Sequence, residues 1–350
     1  MRRRQRFNFI DVAKAFASYF IVMVHTITPN NLPGFKLTQI GAMALFFFAS
    51  GFLFKESYVD FSFKEFLKKI ARKCLIPYFI GAAVGIVVTR LFPYWYGQYS
   101  FKDILEHIFI LGGPIAFGAT WYLMCIFFIE IVFYLFIKSI KSFKPQYKVF
   151  YLMIFIIFFF LVAKLCVRYY SRPIFIKIPL KIDSAFTGII YFALGYLFKE
   201  LKFYKLLDSK MLCVLIFLIT KPLSLFLEHR YLGYTNICDC IYDNYNMYFF
   251  IQLLGIASFV SLGAIFADVK VLQNLGANNL LIYLLHTYVL WFLQEVYGRI
   301  VGEVKFVFYN PIEIIFLTTI TYVITAFIAY HADRLYRKWR PLWLKKMKQN

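Results

Sequence analysis

The feature that most constrains this chain is a series of long apolar segments separated by short polar ones. Seven of the segments approach the ~20 residues that a helix needs to cross the hydrocarbon core of a bilayer, and three are shorter. The sequence therefore predicts an all-α fold, a polytopic bundle of about ten transmembrane helices in a single domain covering residues 1–350. The ten predicted spans are about 9–28, 39–54, 74–92, 120–137, 149–167, 184–198, 211–227, 248–267, 279–293 and 312–331.

Composition agrees with this interpretation and explains the charge. Hydrophobic residues make up 61% of the chain, which is far above the share in soluble domains. A net charge of +21 could indicate nucleic acid as a partner. However, 26 Lys and Arg residues lie in the polar segments on the N-terminal side of the predicted membrane and 9 lie on the opposite side. The positive-inside rule therefore predicts a multi-pass protein of the bacterial cytoplasmic membrane with both termini in the cytoplasm, and no nucleic-acid partner.

The first predicted span carries four polar residues on one helical face. Asp11, Lys14, Ser18 and His25 follow one another at spacings of three, four and seven residues. A charged side chain at membrane depth costs at least about 2.5–3.5 kcal/mol, so such groups face a cavity or one another. Any one of them could instead be a structural hydrogen bond between helices. Four on one face favour a functional site.

His25 is the first candidate for chemistry. Neutral imidazole, with an ordinary pKa of about 6.5, is the side chain best suited to moving a proton at neutral pH. The topology places His25 near the outer face, roughly 16 Å along the helix from Lys14 in the inner half. Asp11 is close enough in sequence to pair with Lys14. The span is interrupted by charge and has no cleavage site, so we expect an uncleaved anchor.

Other ionisable residues lie in later spans. Glu130 falls near the middle of the fourth span and Lys221 falls in the seventh, and each needs a partner. In the ninth span Tyr283 and His286 share one face. His286 is the second candidate for proton transfer, and the alternative is a hydrogen bond to a neighbouring helix.

Two stretches outside the spans are amphipathic. Residues 55–73 predict an interfacial helix on the cytoplasmic side, rich in basic residues. These charges either follow the general excess of cations on the inner face or bind the phosphates of an anionic cosubstrate. Residues 101–110 have a similar pattern on the outer side, where His107 is expected to be solvated. The basic candidates are Lys68, Lys69, Arg72 and Lys73.

Four motifs of this sequence resemble those of one known protein family. RFNFIDVAKAFASYFIVMVHT, at the start of the chain, is similar to the family's first span, with a basic residue and a histidine eleven positions apart. LFFFASGFLF (45–54) resembles its second span, TWYL (120–123) its Trp-aromatic-Leu motif, and LLIYLLHTYVL (280–290) its late Tyr-x-x-His span. In their order and in the ten-span layout, the motifs resemble acyltransferase family 3, a family of membrane acyltransferases, and the resemblance covers nearly the whole chain.

The resemblance implies transfer of an acyl group, usually acetyl from acetyl-CoA, to sugar hydroxyls of envelope or secreted polysaccharides, as in exopolysaccharide biosynthesis. Acyl-CoA is then a cosubstrate, and no permanently bound cofactor or metal is expected. The implied catalytic set is His25, Lys14, Asp11, His286 and Glu130, with Lys68, Lys69, Arg72 and Lys73 holding the CoA phosphates and Trp121, Tyr283 and Ser50 contacting substrate. Two departures stand out: Lys14 replaces the usual Arg, and the third-span Arg-x-x-Arg appears as Lys69-x-x-Arg72 or is shifted to Lys73.

Two questions stay open at this level. His25 can act as a general base on the acceptor hydroxyl or can itself become acylated. The alternative function is a transporter or flippase of lipid-linked sugars, which would also have many spans and intramembrane charges. Transporters often show internal repeats. No repeat relates the two halves of this sequence, which favours the acyltransferase.

Overall fold

The computed structural model describes residues 7–26, 40–91, 100–113, 120–170, 178–233, 235–301 and 310–346. Within these ranges the fold is all-α, as predicted, and the strands are two residues each, in one hairpin of β1 (Thr235–Asn236) and β2 (Ile241–Tyr242). The helices are α1 (Asn8–Thr26), α2 (Ala42–Phe52), α3 (Phe63–Leu91), α4 (Phe101–Phe109), α5 (Trp121–Ser139), α6 (Pro145–Tyr170), α7 (Ile182–Glu200), α8 (Lys210–Tyr231), α9 (Tyr245–Ile265), α10 (Lys270–Ala277), α11 (Asn279–Val301) and α12 (Pro311–Lys346). Short 3₁₀ helices occupy Glu56–Asp60, Pro179–Lys181, Phe203–Asp208 and Ile237–Asp239.

The length and composition of the helices indicate a multi-pass membrane protein. Among the described residues, nine helices are long and apolar enough to cross a bilayer. Ala42–Phe52 is a further apolar helix that is too short to do so alone. Each of the ten apolar segments found in the sequence coincides with one of these ten helices.

Helix α3 differs from the sequence-based expectation. An interfacial helix over 55–73 and a separate span from residue 74 were expected, but a single helix runs from Phe63 to Leu91 with Pro77 inside it. A buried stripe at every fourth residue explains the continuity, because packing on both sides of the proline holds the helix together. The stripe consists of Phe66, Ile70, Cys74, Tyr78 and Ala82.

Helix α4 confirms the amphipathic pattern of residues 101–110. Ile104 and Ile108 form its buried face. Ser100 and Asp103 form a reciprocal capping box at its N-terminus. The hydrogen bonds from Ser100 hold the pKa of Asp103 below its ordinary value.

The chain divides into two compact units. The terminal unit comprises residues 1–43, 209–225 and 254–350. In it α1 packs against α10, α11 and α12. Two glycines allow backbones to approach closely: Gly276 leaves no room for a side chain beside the carbonyl of Asp11, and Gly263 none beside that of Phe9. Small residues at helix contacts are typical of membrane bundles.

The middle unit comprises residues 44–208 and 226–253. In it α5 packs against α3 and α7, and α6 packs against α7. Gly51 and Gly195 bring α2 and α7 into backbone contact, since a side chain at either glycine would collide with the other helix. Phe133 of α5 forms edge contacts with Phe54 and Phe192, and such aromatic pairs fill the core of this unit.

Candidate active site

The polar face of α1 begins with an ion pair. The Lys14 ammonium lies 2.9 Å from a carboxylate oxygen of Asp11, and the two side chains are 15% and 14% exposed. This is the pairing that the spacing of three residues predicts. Each charge therefore has a neutralising partner on the same helix at membrane depth.

The middle of the same face is used for packing. The Ser18 hydroxyl lies 3.0 Å from the hydroxyl of Tyr322 on α12, and Tyr322 donates to the carbonyl of Ala15 at 2.9 Å. Thr26 and Thr318 make a similar hydroxyl contact at 3.0 Å. These bonds fix α1 against α12, so Ser18 is a structural member of the polar face.

His25 lies at the end of α1 beside His286 of α11. The centroids of the two rings are 5.0 Å apart, with an angle of 50° between the planes. His25 is exposed, whereas His286 is fully buried. The terminal unit thus brings together the two histidines that the sequence offered as separate candidates.

The hydrogen bonding of His286 assigns its tautomer. Its Nδ1 lies 2.7 Å from the carbonyl oxygen of Tyr283. A carbonyl can only accept, so Nδ1 carries the proton in the neutral ring and Nε2 keeps its lone pair. Nε2 is buried and has no hydrogen-bond partner among the described residues. Buried polar atoms without a partner are rare, and they often mark a functional site.

This arrangement suits proton transfer. The exposed His25 is accessible, and the neighbouring His286 presents an unprotonated nitrogen of fixed orientation. Tyr283 contributes twice, through its carbonyl and through a ring whose centroid is 5.9 Å from that of His286. Its own side chain is buried.

The middle unit contains a second polar pair, between Lys73 of α3 and Glu130 of α5. The Lys73 ammonium donates to Oε1 of Glu130. The Glu130 side chain is only 2% exposed, whereas that of Lys73 is 55% exposed. Oε2 of Glu130 is buried and has no hydrogen-bond partner in the described part of the chain. Glu130 therefore has the partner that its depth requires, and that partner is a residue that the sequence analysis offered as a candidate for phosphate binding.

Tyr122, which the sequence analysis did not single out, lies close to this pair. Its hydroxyl donates to the carbonyl of Phe46 at 3.0 Å, so Ser50 must be the donor in its 3.0 Å contact with Tyr122. The hydroxyl interacts electrostatically with both Lys73 and Glu130. The signal for Tyr122 was its place in the TWYL motif. Trp121, the candidate beside it, is buried within the unit against Phe47.

The remaining basic candidates line the exposed side of α3. Lys68, Lys69 and Arg72 are all exposed. The Lys69 ammonium lies over the rings of Tyr58 and Phe61, 4.2 and 4.8 Å from their centroids. These cation–π contacts hold the Lys69 side chain over the 3₁₀ helix Glu56–Asp60. Lys221, by contrast, lies in the terminal unit over the rings of Phe20 and Phe259.

Comparison with known families identifies the kind of protein. Residues 7–331 match the profile of acyltransferase family 3, which is described as an acyltransferase domain. The chain belongs to acyltransferase family 3. No curated protein and no solved structure gives a significant match. With its apolar helices, the chain is thus a multi-pass membrane acyltransferase of the O-acyltransferase kind.

Proposed function

We propose that this membrane acyltransferase moves an acyl group, with acetyl the expected one, from cytoplasmic acyl-CoA to a hydroxyl of an envelope or secreted polysaccharide. The observation that carries the proposal is the contact between His25 and His286, whose rings are 5.0 Å apart in a chain of this family. O-acyl transfer requires removal of a proton from a hydroxyl, and imidazole is well suited to that step.

In the proposed reaction His25 is the general base. It takes the proton from the acceptor hydroxyl while the oxygen attacks the thioester carbonyl. The carbon–sulfur bond then breaks, and the thiolate of CoA leaves and takes up the proton. A positioned base of this kind contributes roughly 10²–10⁴-fold in rate. In this proposal Nε2 of His286, which has no hydrogen-bond partner among the described residues, accepts a hydrogen bond either from the His25 ring or from the acceptor.

The alternative route passes through a covalent acyl-His25. In that route the imidazole nitrogen displaces CoA first, and the acceptor hydroxyl then displaces the imidazole. His286 would serve as the base for the second step. The two routes differ in an observable way, because only the second leaves label on the protein when the acceptor is withheld.

The donor is proposed to bind through its phosphates to the exposed cations of α3. Lys68, Lys69 and Arg72 are exposed and carry the donors that charge-assisted hydrogen bonds require, and Lys73 joins them from its place beside Glu130. Lys14, neutralised by Asp11, supports His25 from the same helix. Substrate contacts are proposed for Trp121, Tyr283 and Ser50.

We also propose an orientation of the protein in the membrane, since a cytoplasmic donor must reach its binding site. The distribution of Lys and Arg favours cytoplasmic termini in a bacterial cytoplasmic membrane. Reporter fusions at Lys144 and Lys205 should then give a cytoplasmic signal, and a fusion at Asp243 an external one. An external signal from the fusion at Lys205 would contradict the predicted ten-span topology. Lys177, another external position by the same prediction, lies outside the described residues.

The experiment that tests the function is an acyl-transfer assay on the purified protein. Labelled acetyl-CoA and a polysaccharide acceptor are expected to yield labelled polysaccharide and free CoA in equal amounts. Reconstituted vesicles that move lipid-linked sugars without any loss of acetyl-CoA would instead indicate the transporter. The family match favours the acyltransferase over that alternative.

A further inference from the structure

The ion pair of the middle unit has a feature that the proposed reaction leaves unexplained. Lys73 and Glu130 are joined by one hydrogen bond, but they differ greatly in exposure, at 55% and 2%. A pair that only ties two helices together is best placed with both partners buried in contact, or both at the surface. Here the carboxylate is buried, and the side chain of the lysine that pairs with it is half exposed.

The hydrogen-bonding capacity of the Lys73 ammonium indicates what this pair can do. An ammonium group has three N–H donors. Glu130 receives one of them, and it is the sole hydrogen-bond acceptor of Lys73 in the described part of the chain. The other donors belong to a half-exposed side chain. A buried carboxylate therefore restricts a flexible lysine, while the other two N–H donors have no acceptor among the described residues.

The neighbours of Lys73 point to a phosphate as that anion. Lys69 lies four residues earlier on the same face of α3, and Arg72 is exposed beside it. Lys69 is itself fixed, over two aromatic rings. Two lysines with restricted positions and an exposed arginine on one helix form a site that favours a group with several negative oxygens.

We propose that Glu130 is a positioning residue that holds the Lys73 ammonium in place for a phosphate group of the acyl donor. This inference rests on the proposed function, since it takes acyl-CoA to be the donor. It gives Glu130 a role different from the catalytic one expected from the sequence, because Glu130 acts through Lys73. Fixing a long side chain before binding reduces the entropy lost when the donor arrives.

The test is the affinity for acetyl-CoA of purified Glu130→Gln, measured by isothermal titration with the phosphate-free thioester S-acetylpantetheine as a comparison. The neutral amide of this variant cannot hold the ammonium by charge, so acetyl-CoA should bind about 10-fold more weakly, while kcat at saturating donor is retained. S-acetylpantetheine should bind equally to both proteins. Unchanged affinity for acetyl-CoA would overturn the inference, as would a lower kcat with an unchanged KM.

A charge swap separates positioning from simple helix tethering. Lys73→Glu combined with Glu130→Lys restores an ion pair but moves the cation to the buried end. If the pair only tethers helices, the swap should bind acetyl-CoA like the wild type, which would refute the inference. We expect affinity to be about 10–100-fold weaker, with stability close to that of the wild type. Lys73→Met with Glu130→Leu serves the same purpose if the swap does not fold, and it should show the same loss.

A matched control uses the exposed pair Lys210 and Asp268 of the terminal unit, which are 3.0 Å apart. Swapping these two charges keeps the net charge and should leave binding of acetyl-CoA unchanged. Failure of the proposed donor can be distinguished from failure of the proposed role of Glu130. If the wild type itself does not bind acetyl-CoA, the proposed donor is wrong. If the wild type binds and Glu130→Gln binds equally well, only the role of Glu130 is wrong.

Discussion

The two polar pairs of this protein respond to burial in opposite ways. In the terminal unit, His25 and His286 bring together two rings that can both be neutral, and a buried nitrogen stays without a partner among the described residues. In the middle unit, Lys73 and Glu130 bring together full charges that neutralise each other. A neutral ring can remain inside an apolar unit and exchange a proton, whereas a buried carboxylate needs a permanent counter-ion. The first pair is therefore suited to chemistry and the second to binding.

The first prediction concerns kcat, which should depend on the histidine pair. His286→Ala removes the nitrogen that accepts a hydrogen bond in the proposed centre, so acyl transfer should fall by roughly 10-fold, the effect of one lost hydrogen bond. Folding should be little affected, since losing one polar group inside a membrane bundle costs about 0.6–2 kcal/mol. The measurement is kcat with labelled acetyl-CoA.

His331→Ala is the matched control for this variant. His331 is on α12 of the same unit, is exposed, and packs against the ring of Phe327. Its variant should transfer acetyl at nearly the wild-type rate. Equal losses for His286→Ala and His331→Ala would show that activity reports stability alone.

The largest expected effect on stability belongs to the other pair, and it should be asymmetric. Lys73→Met strands a carboxylate that is 2% exposed, so the free energy of unfolding should drop by about 3–5 kcal/mol. Glu130→Gln leaves an amide oxygen that can still accept from Lys73, whose side chain is 55% exposed, so the loss should be about 1 kcal/mol. Thermal denaturation in detergent measures both variants.

The double variant Lys73→Met with Glu130→Leu completes the comparison. Replacing both charges by apolar groups removes the stranded carboxylate, so most of the stability lost in Lys73→Met should return. Equal destabilisation by Lys73→Met and Glu130→Gln would contradict the one-sided burial of the pair.

The smallest expected effect concerns Ser18, which shares the helical face of His25. Tyr322→Phe removes the hydroxyl that joins Ser18 to α12, which should cost about 0.6–2 kcal/mol of stability. Acyl transfer by the folded protein should stay near the wild-type rate. A large loss of kcat with normal stability would place Ser18 in the reactive centre and extend that centre along α1.

Much of the fold follows from local sequence, and the pairs show where local inference stops. Apolar length predicts the helices, and a spacing of three residues predicts the Asp11–Lys14 pair. The expected break before residue 74 did not occur, because the buried stripe of α3 continues through Pro77. The packing of this buried stripe against other helices is a tertiary effect, and it cannot be predicted from the position of the proline in the sequence.

The site residues were each recognisable, but their partners were not. A histidine or a carboxylate within an apolar span indicates that some partner exists. It does not say that Glu130 meets Lys73 from an earlier helix, or that His25 meets His286 near the end of the chain. These contacts depend on how separate helices pack, and a single sequence carries no measure of that. Tyr122 was missed for the same reason.

The central claim is that the histidine pair of the terminal unit carries the acyl transfer. The most direct measurement is the rate at which purified His25→Ala transfers label from acetyl-CoA to a polysaccharide acceptor, with folding confirmed by thermal denaturation. We predict a rate at least roughly 10²-fold below the wild type, with acetyl-CoA affinity retained because its phosphates bind elsewhere. A well-folded His25→Ala protein that transfers acetyl at nearly the wild-type rate would contradict the account.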